Sequence, residues 1–194
     1  MTVCLIACAD IPPEPWKNGG GVTRTLLTDG DPFRRWRISV ADIDVDGQFS
    51  RYPGIERWLA VAKGDGVILD IDGTRYQLDR ASAPLRFSGD SIVDCRLLGG
   101  TTRDLNLMLR GVGGRMVRAS PNMQFAAGSG SCGLFATIPV RCVGQAIDIE
   151  MPAFSLAWFT GGEAGGLHFT VSRPDSREEN DFVGYWIEIE DDPS

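Results

Sequence analysis

Apolar and polar positions along this chain repeat with a period of two, in short runs broken by glycine and proline, which is the pattern of β-strands. Trp36-Arg37-Ile38-Ser39-Val40-Ala41 is aromatic and β-branched, and Asp46-Gly47 then marks a turn. The apolar runs 57–62 and 67–71 are separated by Lys63-Gly64-Asp65-Gly66, a hairpin signal. Asp72-Gly73 closes the second run before a strand over 74–78. The same patterning predicts strands at 84–88, 91–98, 104–110, 133–138, 146–151, 154–159, 167–172 and 184–190. Strands at this spacing define a sandwich or a barrel. Long helical periodicity is missing, and helical turns are expected only near 178–182 or in the loop before Pro53.

Gly111-Val112-Gly113-Gly114-Arg115 ends one set of strands before a second begins, so a seam is expected over 111–125. The chain reads as one all-β unit spanning 1–194, built from two barrel-like halves, 1–115 and 116–194, that share one core. With 194 residues and 43% hydrophobic content it can bury a core without disulfides or metal. The formal net charge of −7 argues against nucleic acid and anionic membranes as partners. A bound anion must therefore be met by a local cluster of cations. Cysteines at 4, 8, 95, 132 and 142 form no CxxC pair, which predicts reduced thiols in a cytoplasmic protein. Met1 to Ala9 lacks the pattern of a secretion signal, and no apolar run is long enough to span a bilayer.

The densest chemistry lies in Trp16-Lys17-Asn18-Gly19-Gly20-Gly21-Val22-Thr23-Arg24-Thr25. The glycines make either a demanding turn, with the cations facing water, or a cradle whose amides hold an anion beside an arginine. No Gly-Lys-Ser/Thr follows, so this is not a phosphate-binding P-loop. Trp16 either staples the loop to the sheet or stacks on a ligand.

These residues, together with Trp36–Ala41, the run Gly47-Gln48-Phe49-Ser50-Arg51-Tyr52-Pro53-Gly54-Ile55-Glu56-Arg57, Phe87-Ser88-Gly89-Asp90 and Asp104-Leu105-Asn106-Leu107-Met108, resemble the HutD/Ves family of cupin-like proteins. The motifs fall in family order over most of the first 110 residues; the C-terminal half is similar in length and strand pattern. Thr25 departs from the acidic residue expected there in many relatives. The resemblance implies a bicupin, two jelly-roll halves in one chain. It also implies a role beside histidine catabolism as a small-molecule-sensing modulator rather than one of the pathway's enzymes, with urocanate or N-formylglutamate as candidate ligands.

A metal-using cupin presents two closely spaced histidines, a glutamate and a later histidine, because a divalent ion needs converging ligands. The corresponding stretch here, Pro53-Gly54-Ile55-Glu56-Arg57-Trp58, has no histidine, and the one histidine of the chain is His168. No metal and no cofactor are expected. Arg57 offers a planar fork for a carboxylate, with Glu56 to orient it or to receive a ligand amine; the alternative is a surface ion pair. In 104–109 the alternation puts Leu105, Leu107 and Leu109 on one face and Asp104, Asn106 and Met108 on the other. The polar face is either solvated or lines a cavity, where Asn106 would hydrogen-bond a ligand. His168 reads as structural, Ser129-Gly130-Ser131-Cys132-Gly133 as a turn, and the acidic runs 178–181 and 190–192 as solvated edges.

The reading is a metal-free bicupin that binds a small anionic metabolite in its N-terminal half. Arg57, Arg24 or Lys17 neutralise carboxylates, Asn18 and Asn106 set hydrogen-bond specificity, Glu56 assists, and Trp16 and Trp58 supply apolar walls. The rival is a cofactor-independent isomerase, epimerase or hydrolase using Glu56 or Asp104 as general base. A third reading is an interaction module or homodimer with the strand at 185–190 as its edge.

Overall fold

The computed structural model describes residues 2–30, 35–128, 130–144, 147–160, 167–172 and 182–190. The acidic stretches at 178–181 and 191–192, most of the helical turn expected near 178–182, and Ser129 lie outside the described residues. In chain order the first strands are β1 (Thr2–Ala7), β2 (Glu14–Pro15), β3 (Gly21–Thr28), β4 (Trp36–Ile43), β5 (Gly47–Gln48), β6 (Glu56–Lys63), β7 (Val67–Ile71), β8 (Thr74–Leu78), β9 (Leu85–Ser88) and β10 (Val93–Leu97). They continue as β11 (Thr102–Leu109), β12 (Gly114–Ala119), β13 (Gln124–Ala127), β14 (Gly130–Ala136), β15 (Val140–Gly144), β16 (Ile147–Met151), β17 (Ser155–Thr160), β18 (Leu167–Ser172) and β19 (Gly184–Glu190). Helical structure among the described residues is a single 3-10 turn, Cys8–Asp10; the loop before Pro53 is not helical. No helix there is long and apolar enough to cross a membrane.

The strands form two compact units, one of Ile11–Gly111 and the other of Met1–Asp10 with Val112–Ser194. In the first, a six-stranded sheet of order β2-β3-β4-β11-β6-β9 faces a four-stranded sheet of order β5-β10-β7-β8. Their inward positions meet in one cluster: Ile43, Leu59 and Val61 from one sheet, Leu69, Val93 and Cys95 from the other. In the second, a five-stranded sheet (β1-β17-β14-β19-β12) packs on a four-stranded one (β13-β18-β15-β16). Its core is a stack of rings. Phe125 lies flat on Trp186, centroids 4.4 Å apart, with Phe169 at 5.4 Å from the same indole and Phe159 stacked on Phe169 at 4.4 Å.

Two expectations change. β1 was grouped with the N-terminal half, but Thr2–Ala7 pairs along its full length with β17 and belongs to the C-terminal unit. β19 is not an edge: it lies between β14 and β12, buried on both faces, so its alternation marks a central strand. The edges of that sheet are β12 and β1, and on β1 Val3 and Leu5 are exposed. All five cysteines are free thiols, and burial pushes those of Cys95, Cys132 and Cys142 up to about 12, which keeps them protonated and inert at neutral pH.

Candidate ligand-binding site

The two-residue period of the six-stranded sheet determines what its inner face shows. Arg37, Met108 and Arg57 sit in one row across β4, β11 and β6; Ser39, Asn106 and Leu59 form the next. These side chains line a cavity of about 600 Å³ inside the Ile11–Gly111 unit. Phe49 and Tyr52 wall it, and the exposed side chains of Glu14, Lys17 and Asn18 form its rim. The outward positions of β11, Leu105, Leu107 and Leu109, are buried on the opposite face, as the alternation predicts.

The glycine-rich segment is a fixed rim. The Gly21 Cα touches β4 so closely that an added Cβ would sit 2.3 Å from the Asp42 carbonyl oxygen, so only glycine lets β3 start there. The Trp16 amide donates to the Gly21 carbonyl at 2.9 Å, and its indole Nε1 donates to Thr23 Oγ1 at 2.7 Å. The Trp16 ring meets Phe49 edge-on at 6.3 Å, so the tryptophan both staples the loop and faces the cavity. The amide cradle is not formed. Gly19 N donates to the Trp16 carbonyl at 3.0 Å, and Gly20 N to Asn18 Oδ1 at 3.0 Å.

Arg57 is the electrostatic centre. Its side chain belongs to a residue only 6% exposed, yet it has no ion-pair partner among the described residues. Its hydrogen bonds are long: Nη1 to the Ser50 carbonyl at 3.5 Å and Nη2 to Asn106 Oδ1 at 3.4 Å, while Nε has no partner. Instead the guanidinium rests among rings, 4.9 Å from the centre of Phe87, 5.3 Å from Phe49 and 5.6 Å from Tyr52. Burial lowers its pKa to about 10; Tyr52 opposes that shift and the nearby charge of Arg37 adds to it. It remains a cation at neutral pH. Burying a cation beside a second cation, with no ion-pair partner among the described residues, is costly in free energy.

Among the residues expected from the sequence, Trp16, Lys17, Asn18, Arg57 and Asn106 come together around this cavity. Three do not. Arg24 alternates with the inward Thr23 and pairs Nη1 with Asp42 Oδ2 at 2.7 Å, on a carboxylate that Arg103 also grips through Nε at 2.6 Å. Burial alone would raise the Asp42 pKa, but these two guanidiniums hold it below the ordinary carboxylate range. Glu56 and Trp58 flank Arg57 on β6 and so point the other way. The Trp58 indole donates to Glu56 Oε1 at 3.1 Å, and Arg86 donates to Glu56 Oε2. Thr25 does not line the cavity, and His168 is exposed on β18. Asp104 shares the inward face of β11 but lies fully buried away from the cavity lining, with neither oxygen hydrogen-bonded. Neither proposed general base, Glu56 nor Asp104, reaches the cavity.

Sequence reasoning passed over Arg37 and Tyr52. Arg37 donates Nη2 to Met108 Sδ at 3.1 Å, and the Tyr52 ring lies 5.8 Å from its Cζ. Arg37 and Ser39 occupy the polar face of β4 just as Asn106 does on β11, so the same alternation argument would have found them. A divalent cation does not suit this lining of guanidiniums, amides, hydroxyl and thioether. No cluster of three or more His, Cys, Asp or Glu able to hold one occurs among the described residues.

Two antiparallel jelly-roll sandwiches in one chain, one of them hollow and cationic inside, define a bicupin. The HutD family model matches residues 8–175, and the chain belongs to that family. Over 111 residues it is 44% identical to an uncharacterised 21.2 kDa protein from the hutC 3′ region of Pseudomonas putida, covering 54% of this chain and 56% of that one. Protein Ves of Citrobacter koseri is 36% identical over 104 residues, 52% of this chain and 54% of Ves. The chain thus spans about half the length of the curated relatives it matches. Among solved structures, HutD from Pseudomonas fluorescens SBW25 (formate condition) superposes with a TM-score of 0.80 at 27% identity, over 97% of this chain and 98% of that one.

Proposed function

We propose that this protein binds a small carboxylate metabolite in the cavity of its Ile11–Gly111 unit, and thereby modulates histidine utilisation by sensing or sequestering a pathway intermediate such as urocanate or N-formylglutamate. The observation that carries the reading is Arg57, a cation buried against three rings with no counter-ion among the described residues. A carboxylate entering the cavity replaces two long hydrogen bonds with charge-assisted ones and relieves the repulsion between Arg57 and Arg37. Asn106 and Ser39 supply the polar contacts that fix orientation, and Trp16, Phe49 and Met108 the apolar walls. Membership of the HutD family, and similarity to a protein from a hutC region, support the link to histidine utilisation. Calorimetric titration of the purified protein with urocanate, N-formylglutamate, histidine and glutamate tests it. Saturable binding of one of the first two, abolished in Arg57→Ala, is the expected result. Absence of binding to all four would remove the histidine-catabolite reading.

A further inference from the structure

Arg37 and Arg57 stand in one row on either side of Met108, and the strand spacing puts their backbones roughly 10 Å apart. Two guanidiniums on stems of that length can converge on one point or splay away from each other, since like charges repel. One ring touches both. The Tyr52 ring centre lies 5.6 Å from the Arg57 Cζ and 5.8 Å from the Arg37 Cζ, and Tyr52 lines the same cavity.

The backbone beneath Tyr52 is unusually well held for a loop. Its amide donates to the Gly89 carbonyl at 2.7 Å, the Gly89 amide donates to the Ile55 carbonyl at 2.7 Å, and the Ile55 amide returns to the Tyr52 carbonyl at 3.1 Å. A Cβ on Gly89 would lie 2.4 Å from the Tyr52 carbonyl oxygen, so this clamp closes only on glycine. Arg51 Nε on the Asp90 carbonyl at 2.9 Å, and the Gly54 amide on Asp90 Oδ2 at 3.2 Å, tie the same turn to the end of β9. A loop pinned this firmly presents its ring as part of the sheet.

Resting on the carboxylate-binding reading above, we infer that Tyr52 is the positioning residue of a two-arginine clamp: its ring holds Arg37 and Arg57 toward a single oxyanion. Its role is the π-face, which draws both cations to one place and partly offsets their repulsion; the hydroxyl is dispensable.

The test combines nitrogen-15 spectra of the arginine Nε–H groups in the unliganded protein with calorimetric titration of urocanate and N-formylglutamate, in wild type, Tyr52→Phe and Tyr52→Leu. Expected are ring-shifted Nε–H signals for both Arg37 and Arg57 in wild type and Tyr52→Phe, and collapse of both shifts in Tyr52→Leu. Affinity should be retained within about twofold in Tyr52→Phe and fall roughly tenfold in Tyr52→Leu. Combining Tyr52→Leu with Arg37→Gln should weaken binding no further than the worse single change. Unaltered arginine signals and unaltered affinity in Tyr52→Leu would overturn the inference alone. Equal losses in Tyr52→Phe and Tyr52→Leu would also overturn it, by assigning the effect to the hydroxyl. If wild type binds neither probe, the carboxylate reading fails, and the clamp with it, whatever the spectra show of the ring.

Discussion

The inward positions of the C-terminal unit carry Phe125, Phe159, Phe169 and Trp186, stacked ring on ring. The corresponding sheet of the Ile11–Gly111 unit turns Arg37, Ser39, Arg57 and Asn106 inward, and a cavity of about 600 Å³ stays open. Both units bury carboxylates as well. Glu188 accepts from Arg115 Nε at 2.6 Å and from the Gly128 amide, whereas neither Asp104 oxygen has a hydrogen-bond partner among the described residues. The contrast separates two uses of one architecture. Large rings and satisfied charges make a sandwich stable, while a buried cation such as Arg57, without an ion-pair partner among the described residues, costs stability.

The contrast breaks most visibly at Trp186. Truncation to alanine removes the ring on which Phe125 and Phe169 both stack, and a buried aromatic-to-alanine change costs about 3–5 kcal/mol. Urea denaturation monitored by circular dichroism should show that loss. Trp186→Phe should lose much less, because it keeps a ring in the stack and removes an indole N–H that has no acceptor among the described residues. A Trp186→Ala protein as stable as wild type would mean the C-terminal unit is not held by its rings.

Arg57 sharpens the other side. Arg57→Met removes the buried cation and keeps apolar bulk among Phe49, Tyr52 and Phe87. Carboxylate affinity should fall roughly hundredfold, the worth of a charge-assisted contact of about 2–3 kcal/mol, while the melting temperature holds or rises. Loss of both together would make Arg57 a structural residue, and the hollow unit no different in kind from the filled one.

Asp104 carries a pH signature of its own. Burial, with the charge of Asp42 adding to it, pushes the Asp104 carboxyl up to about 8. In the unfolded chain the same group releases its proton near ~3.9. Between those limits the folded protein binds more protons than the unfolded one, so stability falls as pH rises, by up to about 1.4 kcal/mol per pH unit. Below the lower limit and above the upper one this group contributes no slope. Asp104→Asn should therefore flatten the fall in melting temperature between pH 5 and 8 relative to wild type. Parallel curves for the two proteins would show that Asp104 is ionised, and solvated, in the fold.

How much of this was legible depends on where the determining contacts lie. The strands from β6 to β8 follow from local alternation and Gly/Asp turns, and they sit where those signals put them. β1 could not be assigned to its unit, because it pairs with β17, near the other end of the chain, and nothing in six residues names a partner so far away. β3 was hidden behind its glycines, whose reason for being there is the approach of Gly21 to the Asp42 carbonyl. Arg57 and Asn106 were visible as polar residues interrupting apolar strands. Arg37 was equally visible and went unread, while Tyr52 depends on a turn clamped from β9 that no spacing reveals.

The smallest effects belong to Arg24, Glu56 and Trp58, and here the sequence already held the answer. Residues 56 and 58 flank 57 on one strand, so a period of two places them on the face Arg57 leaves, where Glu56 is held by Trp58 and Arg86. Arg24 likewise alternates with Thr23 and spends its charge on Asp42, which keeps Arg103 as a second partner when Arg24 is gone. Glu56→Gln and Arg24→Ala should each leave carboxylate affinity within about twofold of wild type and shift stability by roughly 1 kcal/mol or less, since the Glu56 pair is largely exposed and Asp42 keeps Arg103. Calorimetry on the two variants beside Arg57→Met checks this in one series. A binding loss in Glu56→Gln comparable to that of Arg57→Met would mean that β6 does not keep its period of two through the site, and the division between an inward, receptive face and an outward, ion-paired one would have to be redrawn.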